Sequence, residues 1–267
     1  MQTETSVAVP RPRLTAPRLL GGRLGAHTTL LGVLMVLVLL PVIFRMDPAR
    51  FEIFADWRIW RFLAERVALV IVISVVSIAL SLPLATILAL GRLSTRRWVA
   101  YPSIAFIESI RALPVLLVIF YVYLEFPPLP GAVNREALAV TAALTIYTSA
   151  VNAELIRAGI LSLERGQMEA ARSLGLTYWQ AMQYVILPQT LRRILPPLIA
   201  QFTTLLKDTS LGSIIGMVEL IGASKIIFQK YYNPMEAYYV IAIVYFVLNY
   251  VLGQIGLATQ GRGEAAA

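Results

Sequence analysis

The 267-residue chain has no cysteine and one histidine, His27. No disulfide framework, no cysteine-ligated zinc or iron site and no histidine-cluster metal site can therefore form. Charge is scarce too: 14% of residues are Asp, Glu, Lys or Arg, where a soluble globular chain carries roughly a quarter. No Gly-x-x-x-x-Gly-Lys-Ser/Thr run occurs, so the chain lacks the loop that cradles ATP phosphates. What fills the sequence is apolar, 58% of all positions, and that much Leu, Ile and Val must be buried somewhere, which excludes a disordered or fibrous chain. A net charge of +8 admits nucleic acid as a partner. The basic residues form no aromatic-interleaved stripe, however, and fit loops beside a membrane better, so no nucleic acid is expected.

The hydrophobic runs predict an all-α membrane protein with six transmembrane helices. A bilayer core of about 30 Å needs about 20 residues of helix. The stretch 28–44 is the first span. A basic leader precedes it (Arg11, Arg13, Arg18, Arg23), as in a signal peptide, but the run ends in Pro-Val-Ile-Phe-Arg-Met-Asp, without a small-residue cleavage pattern. The run 67–91 is the second span, with Pro83 tolerated inside it. A third is expected at 110–127, with Arg111 at one edge, and 101–109 is expected to lie in the interface. The run 137–153 gives the fourth span. The fifth begins at 194 and is interrupted by Lys207 and Asp208, and 237–261 supplies the last.

Lys and Arg resist translocation, so their placement sets orientation. The N-terminal tail, the loop with Arg92, Arg96 and Arg97, the segment with Arg157, Arg165, Arg172, Arg192 and Arg193, and Arg262 form the richer side. Both termini and the 154–193 segment are thus expected in the cytoplasm. The first outer loop holds several arginines of its own, so the bias is a majority and not a rule.

The 154–193 segment has local structure. Residues 166–174 are good helix formers and Gly175 follows as a left-handed stop. Thr177-Tyr178-Trp179-Gln180 matches a capping box, which starts a second helix at once, and Leu187-Pro188-Gln189 is expected to end it before the membrane. The result is a helix-turn-helix device offering one short rod to the cytoplasm.

Here the residues carry a resemblance. Glu169-Ala170-Ala171, then Gly175, then Val185-Ile186-Leu187-Pro188 resembles the EAA signature of ABC importer permeases. The flanks are similar to the branch that imports polar amino acids: Tyr147-Thr148-Ser149-Ala150, Ala153-Glu154-Leu155-Ile156-Arg157-Ala158-Gly159-Ile160, Gly166-Gln167, Ile186-Leu187-Pro188-Gln189 and Leu206-Lys207-Asp208-Thr209-Ser210-Leu211. Glu108, Arg111 and Pro114-Val115-Leu116 resemble that branch's opening of a transmembrane helix. The likeness covers roughly residues 108–220. Two positions depart from the pattern: Val185 stands where Ile is usual, and Ala112-Leu113 where Gly-Thr is usual.

The resemblance implies a five-helix type I importer core at 65–258 with a cytoplasmic coupling loop at 154–193, an extra N-terminal transmembrane helix at 28–44 and a basic tail at 1–27, in a bacterial inner membrane. It implies that the rod docks on a separate ABC ATPase subunit through Gly166, Gln167, Glu169, Ala170, Ala171 and Gly175. Glu169 would offer a carboxylate, and the alanines a close approach. ATP and Mg would belong to that ATPase and no cofactor to this chain. An extracytoplasmic substrate-binding protein and a second permease, identical or related, would complete the assembly around a polar amino acid. A rod without a partner is the plain alternative.

Lys207 and Asp208 lie about 20 Å along a helix from residue 194, deep in the hydrocarbon. Such charges usually face a cavity or bundle interior. They line or gate a path, or they neutralise each other at a helix break where Thr209 and Ser210 satisfy loose carbonyls. Glu108 and Arg111, three apart, either pair at the inner interface or act near the inner gate. Two other functions compete with an ATP-driven permease: an ion-coupled secondary transporter, for which internal repeats would be expected and are not evident, and a membrane scaffold with a docking loop.

Overall fold

The computed structural model describes residues 46–125, 127 and 134–264. The chain divides into two units, Met1–Pro48 and Ala49–Ala267. The first lies almost wholly outside the described residues, and with it the basic tail and the span expected at 28–44.

The described residues form helices joined by short turns, with no strand among them. A 3-10 helix, Pro48–Ala55, precedes α1, Trp57–Arg92. Asp56 opens α1 by accepting the Arg58 N–H, and the helix passes Pro83 without a break. Then come α2, Arg97–Ala112, α3, Val115–Glu125, and α4, Arg135–Leu161, which Asn134 caps by accepting the Ala137 N–H. Two short helices follow, α5, Arg165–Ser173, and α6, Tyr178–Ala181. A π turn, Met182–Ile186, leads into α7, Leu187–Asp208, and a 3-10 turn, Thr209–Ile215, leads to α8, Leu220–Tyr231, and α9, Pro234–Glu264.

Three helices are long and apolar enough to span unbroken: α1, α4 and the Pro234–Gln254 part of α9. Two more crossings are possible only as bent pairs, α2 with α3 at 106° and Tyr178–Ile215 with α8 at 49°. The described residues thus supply up to five spans, and a count of six is not reached within them.

The straight span expected at 110–127 is corrected. Leu113 is extended (φ −85°, ψ 140°), because the ring of Pro114 excludes α geometry from the residue before it, and the helix stops at Ala112. The 11-residue α3 is about 16 Å long, too short to cross alone. Pro188 is a second correction, since it does not end its helix. The π turn widens the coil just ahead of it and the chain continues as α7, with Pro188 in the first turn, where its missing N–H is harmless. The hydrophilic stretch 154–193 is accordingly mostly helix: α4 reaches Leu161 and α7 begins at Leu187.

Packing is tightest between α1 and α4, where Ser74, Ser77 and Ser81 of one helix and Thr148, Ser149 and Asn152 of the other are wholly buried, and Asn152 Nδ2 donates to Ser81 Oγ at 3.1 Å. Small side chains let the backbones approach, as is usual between membrane helices. Apolar clusters fill in on either side. One joins Leu63 and Val70 of α1 to Leu220 and Ile227 of α8 and Ile241 of α9. Another joins Ala85 and Ala89 of α1 to Ile107, Ile156 and Ile194.

Candidate coupling rod, ion-pair cluster and broken span

The rod α5 is built as its sequence requires. Gly175 takes φ +86°, a left-handed value that costs glycine little. The Leu176 N–H reaches the Ala171 carbonyl at 3.3 Å and the Gly175 N–H reaches that of Arg172 at 3.0 Å, so the last turn closes as a Schellman motif. Thr177 and Gln180 form the reciprocal capping box, the Thr177 N–H donating to Gln180 Oε1 at 2.9 Å. Two caps back to back leave α5 little freedom to rotate against α6.

Of the residues expected on the rod's docking surface, Gly166, Gln167, Glu169, Ala170 and Gly175 are exposed, and Ala171 is not. Ala171 is 4% exposed, so it cannot offer a partner a close approach. Gln167 is joined to α7 by Gln189, whose Nε2 donates to Gln167 Oε1 at 3.1 Å. Leu174 and Trp179 stand out beside the rod, 84% and 64% exposed, an apolar margin of the kind that marks a contact surface.

The ends of α1, α2 and α4 meet in an ion-pair cluster that the sequence did not suggest. Arg92 approaches Glu108 at 3.1 Å and Glu154 at 3.6 Å, and Arg157 holds Glu154 from the next turn of α4. Of the two alternatives for Glu108 and Arg111, mutual pairing is not the one seen, since Glu108 meets Arg92 instead. Arg111 is exposed, while Arg92 stands across from Glu108 on α1.

In the broken span, Lys207 is exposed and Asp208 half-buried, and no ion pair joins them among the described residues. Thr209 and Ser210 behave as loose-carbonyl partners: their hydroxyls donate to Leu206 O at 2.7 Å and Lys207 O at 2.6 Å. The 3-10 turn then ends at Gly216, φ +91°.

The most deeply placed charge of this region was missed in the sequence. Glu219 is fully buried and caps α8 with both oxygens, accepting from Ile221 N at 2.8 Å and Gly222 N at 3.0 Å. Tyr245 of α9 donates its hydroxyl to the same carboxylate at 3.0 Å, and Arg66 of α1 donates to the neighbouring Val218 carbonyl at 3.2 Å. Glutamate is not among the residues preferred at an N-cap, which is why the pattern gave no signal.

The sequence profile described as "Binding-protein-dependent transport system inner membrane component" matches residues 81–256. The probable glutamine ABC transporter permease protein GlnP of Bacillus subtilis is 43% identical over 151 residues, 55% of this chain and 68% of that protein. The probable glutamine ABC transporter permease protein GlnM of the same organism is 39% identical over 176 residues, 66% of this chain and 81% of that one. Among solved structures, the crystal structure of an amino acid ABC transporter with histidines superposes with a TM-score of 0.65 at 32% identity, covering 72% of this chain and 90% of that one. With α5, its two caps and the broken span all inside the matched region, the chain belongs to the inner membrane component family of binding-protein-dependent ABC transport systems.

Proposed function

We propose that this chain is the permease subunit of an ATP-driven importer for polar amino acids, working with two ABC ATPases, an extracytoplasmic binding protein and a second permease. The observation that carries this reading is the α5 rod: an exposed Glu169–Ala170 face on a short helix fixed at its end by Gly175 and the Thr177 box. The exposed carboxylate of Glu169 suits a basic residue on the ATPase, and Ala170 leaves room beside it. Mg and ATP reside on that subunit, and closure of the ATPase pair moves the rod. Both termini and the rod face the cytoplasm in this reading, which follows the excess of Lys and Arg on that side.

The substrate class comes from the relatives, which are glutamine permeases by name, and from the amino acid transporter among the solved structures. Thr209 and Ser210, Lys207 and Asp208, and more distantly Glu108 and Arg111, are the groups assigned to the path or its gates. An ion-coupled carrier would use the same spans without needing a docking rod, and a scaffold would keep the rod but move no substrate. The test is copurification: co-expressed with a cognate ABC ATPase subunit, the chain should retain it, and Glu169→Lys should release it while staying inserted in the membrane. Retention by Glu169→Lys at the wild-type level would contradict the proposal.

A further inference from the structure

A nine-residue rod held only by its two connecting loops would swivel when pulled. Here the elements behind it are tied together. On α7, Arg193 Nη1 donates to the Ser162 carbonyl at 2.6 Å and to Ser162 Oγ at 3.2 Å. Ser162 is the C-cap of α4, so the guanidinium serves a carbonyl at the negative end of that helix dipole. One turn earlier, Gly159 lets α4 and α7 close together: a Cβ there would lie 2.5 Å from Ile194 Cγ2 and 2.9 Å from Thr190 Cγ2. Gln189, four residues before Arg193 and so on the same face of α7, holds Gln167 of the rod at 3.1 Å. One face of α7 therefore grips the end of α4 with one side chain and α5 with another.

Resting on the permease reading above, we propose that Arg193 is a positioning residue of the transport cycle. It fastens the α4 terminus to α7, and with Gln189 it makes α4, α5 and α7 one body at this end. A displacement of α5 then reaches both spans together. Without the tie, α4 and α7 shear at Gly159, where small and methyl-bearing groups slide, and part of the stroke is lost. ATP is hydrolysed with less substrate moved.

The test uses the full complex of permease, ATPase and binding protein in proteoliposomes. Uptake of radiolabelled glutamine, glutamate, arginine and histidine is measured beside ATP hydrolysis. In Arg193→Ala, hydrolysis is retained and substrate moved per ATP falls about threefold to tenfold, the scale of one ordinary solvent-accessible hydrogen bond. Arg193→Lys, which keeps a donor, recovers most of the ratio. An unchanged ratio in Arg193→Ala overturns the inference, as does loss of assembled complex in both variants, which a merely structural tie predicts. Should Arg193→Ala alone fail to assemble, Gln189→Ala decides: a fallen ratio supports the brace and an unchanged one overturns it. Wild-type uptake that ignores ATP would overturn the proposed function and this inference with it, whereas an unchanged ratio in an ATP-driven wild type removes this inference alone.

Discussion

The guanidinium of Arg92 lies 3.1 Å from the Glu108 carboxylate and 3.6 Å from that of Glu154, so one arginine of α1 ties α2 to α4. Its side chain is 22% exposed, while that of Glu108 is 61% exposed. Screening by solvent makes the Glu108 contact weak.

Removing Glu108 should therefore matter less than removing Arg92. Glu108→Gln is expected to change stability by less than about 1 kcal/mol, the usual worth of an exposed pair. Arg92→Ala strips both carboxylates of a partner and should cost more, though Arg157 still holds Glu154. Thermal unfolding of the two variants in detergent checks the order, and equal losses would contradict it.

Glu219 should be far less tolerant. Glu219→Ala leaves the Ile221 and Gly222 N–H groups and the Tyr245 hydroxyl without their acceptor in a buried site. A loss of at least about 2 kcal/mol is expected, the scale of an orphaned buried donor. Glu219→Gln keeps one acceptor oxygen and should fall between. Wild-type stability in Glu219→Ala would mean that the cap contributes nothing.

At Gly159 the obstacle is volume. Ile194 and Thr190 already occupy the space of a Cβ, so Gly159→Val should cost about 1–3 kcal/mol of overpacking and separate α4 from α7. Gly166, whose Cβ would meet nothing within 4 Å, is the matched control: Gly166→Ala should leave stability unharmed.

The orientation has its own test. The chain has no native cysteine, so a single cysteine at exposed Ser173 reports cleanly. It should resist a membrane-impermeant maleimide in intact cells and react once the cells are opened. Labelling in intact cells would invert the topology.

Local chemistry was legible in the sequence where one residue type has one use. Gly175 announced its left-handed stop and Thr177-Tyr178-Trp179-Gln180 its capping box, and both stand where expected. Proline was harder to read, because its effect depends on the turn before it. Pro114 breaks its span through the extended Leu113, whereas Pro188 follows a π turn and breaks nothing. Partners across helices were not legible at all. Glu108 has Arg111 three positions away in sequence, yet it meets Arg92, sixteen positions away, because the turn after α1 folds α2 back beside it. Arg193 was overlooked for the same reason, since the Ser162 group that gives it meaning is distant along the chain, and so is the Tyr245 hydroxyl that joins the local cap made by Glu219.

The central claim is that the rod is a handle worked by an ATPase this chain does not contain. Its most direct test is amino acid accumulation in proteoliposomes prepared with and without that ATPase, each with and without enclosed ATP and an ionophore. Accumulation should appear only with both ATPase and ATP and should persist when the ionophore collapses the ion gradients. Accumulation that survives removal of the ATPase, or that the ionophore abolishes while ATP hydrolysis continues, would contradict the account.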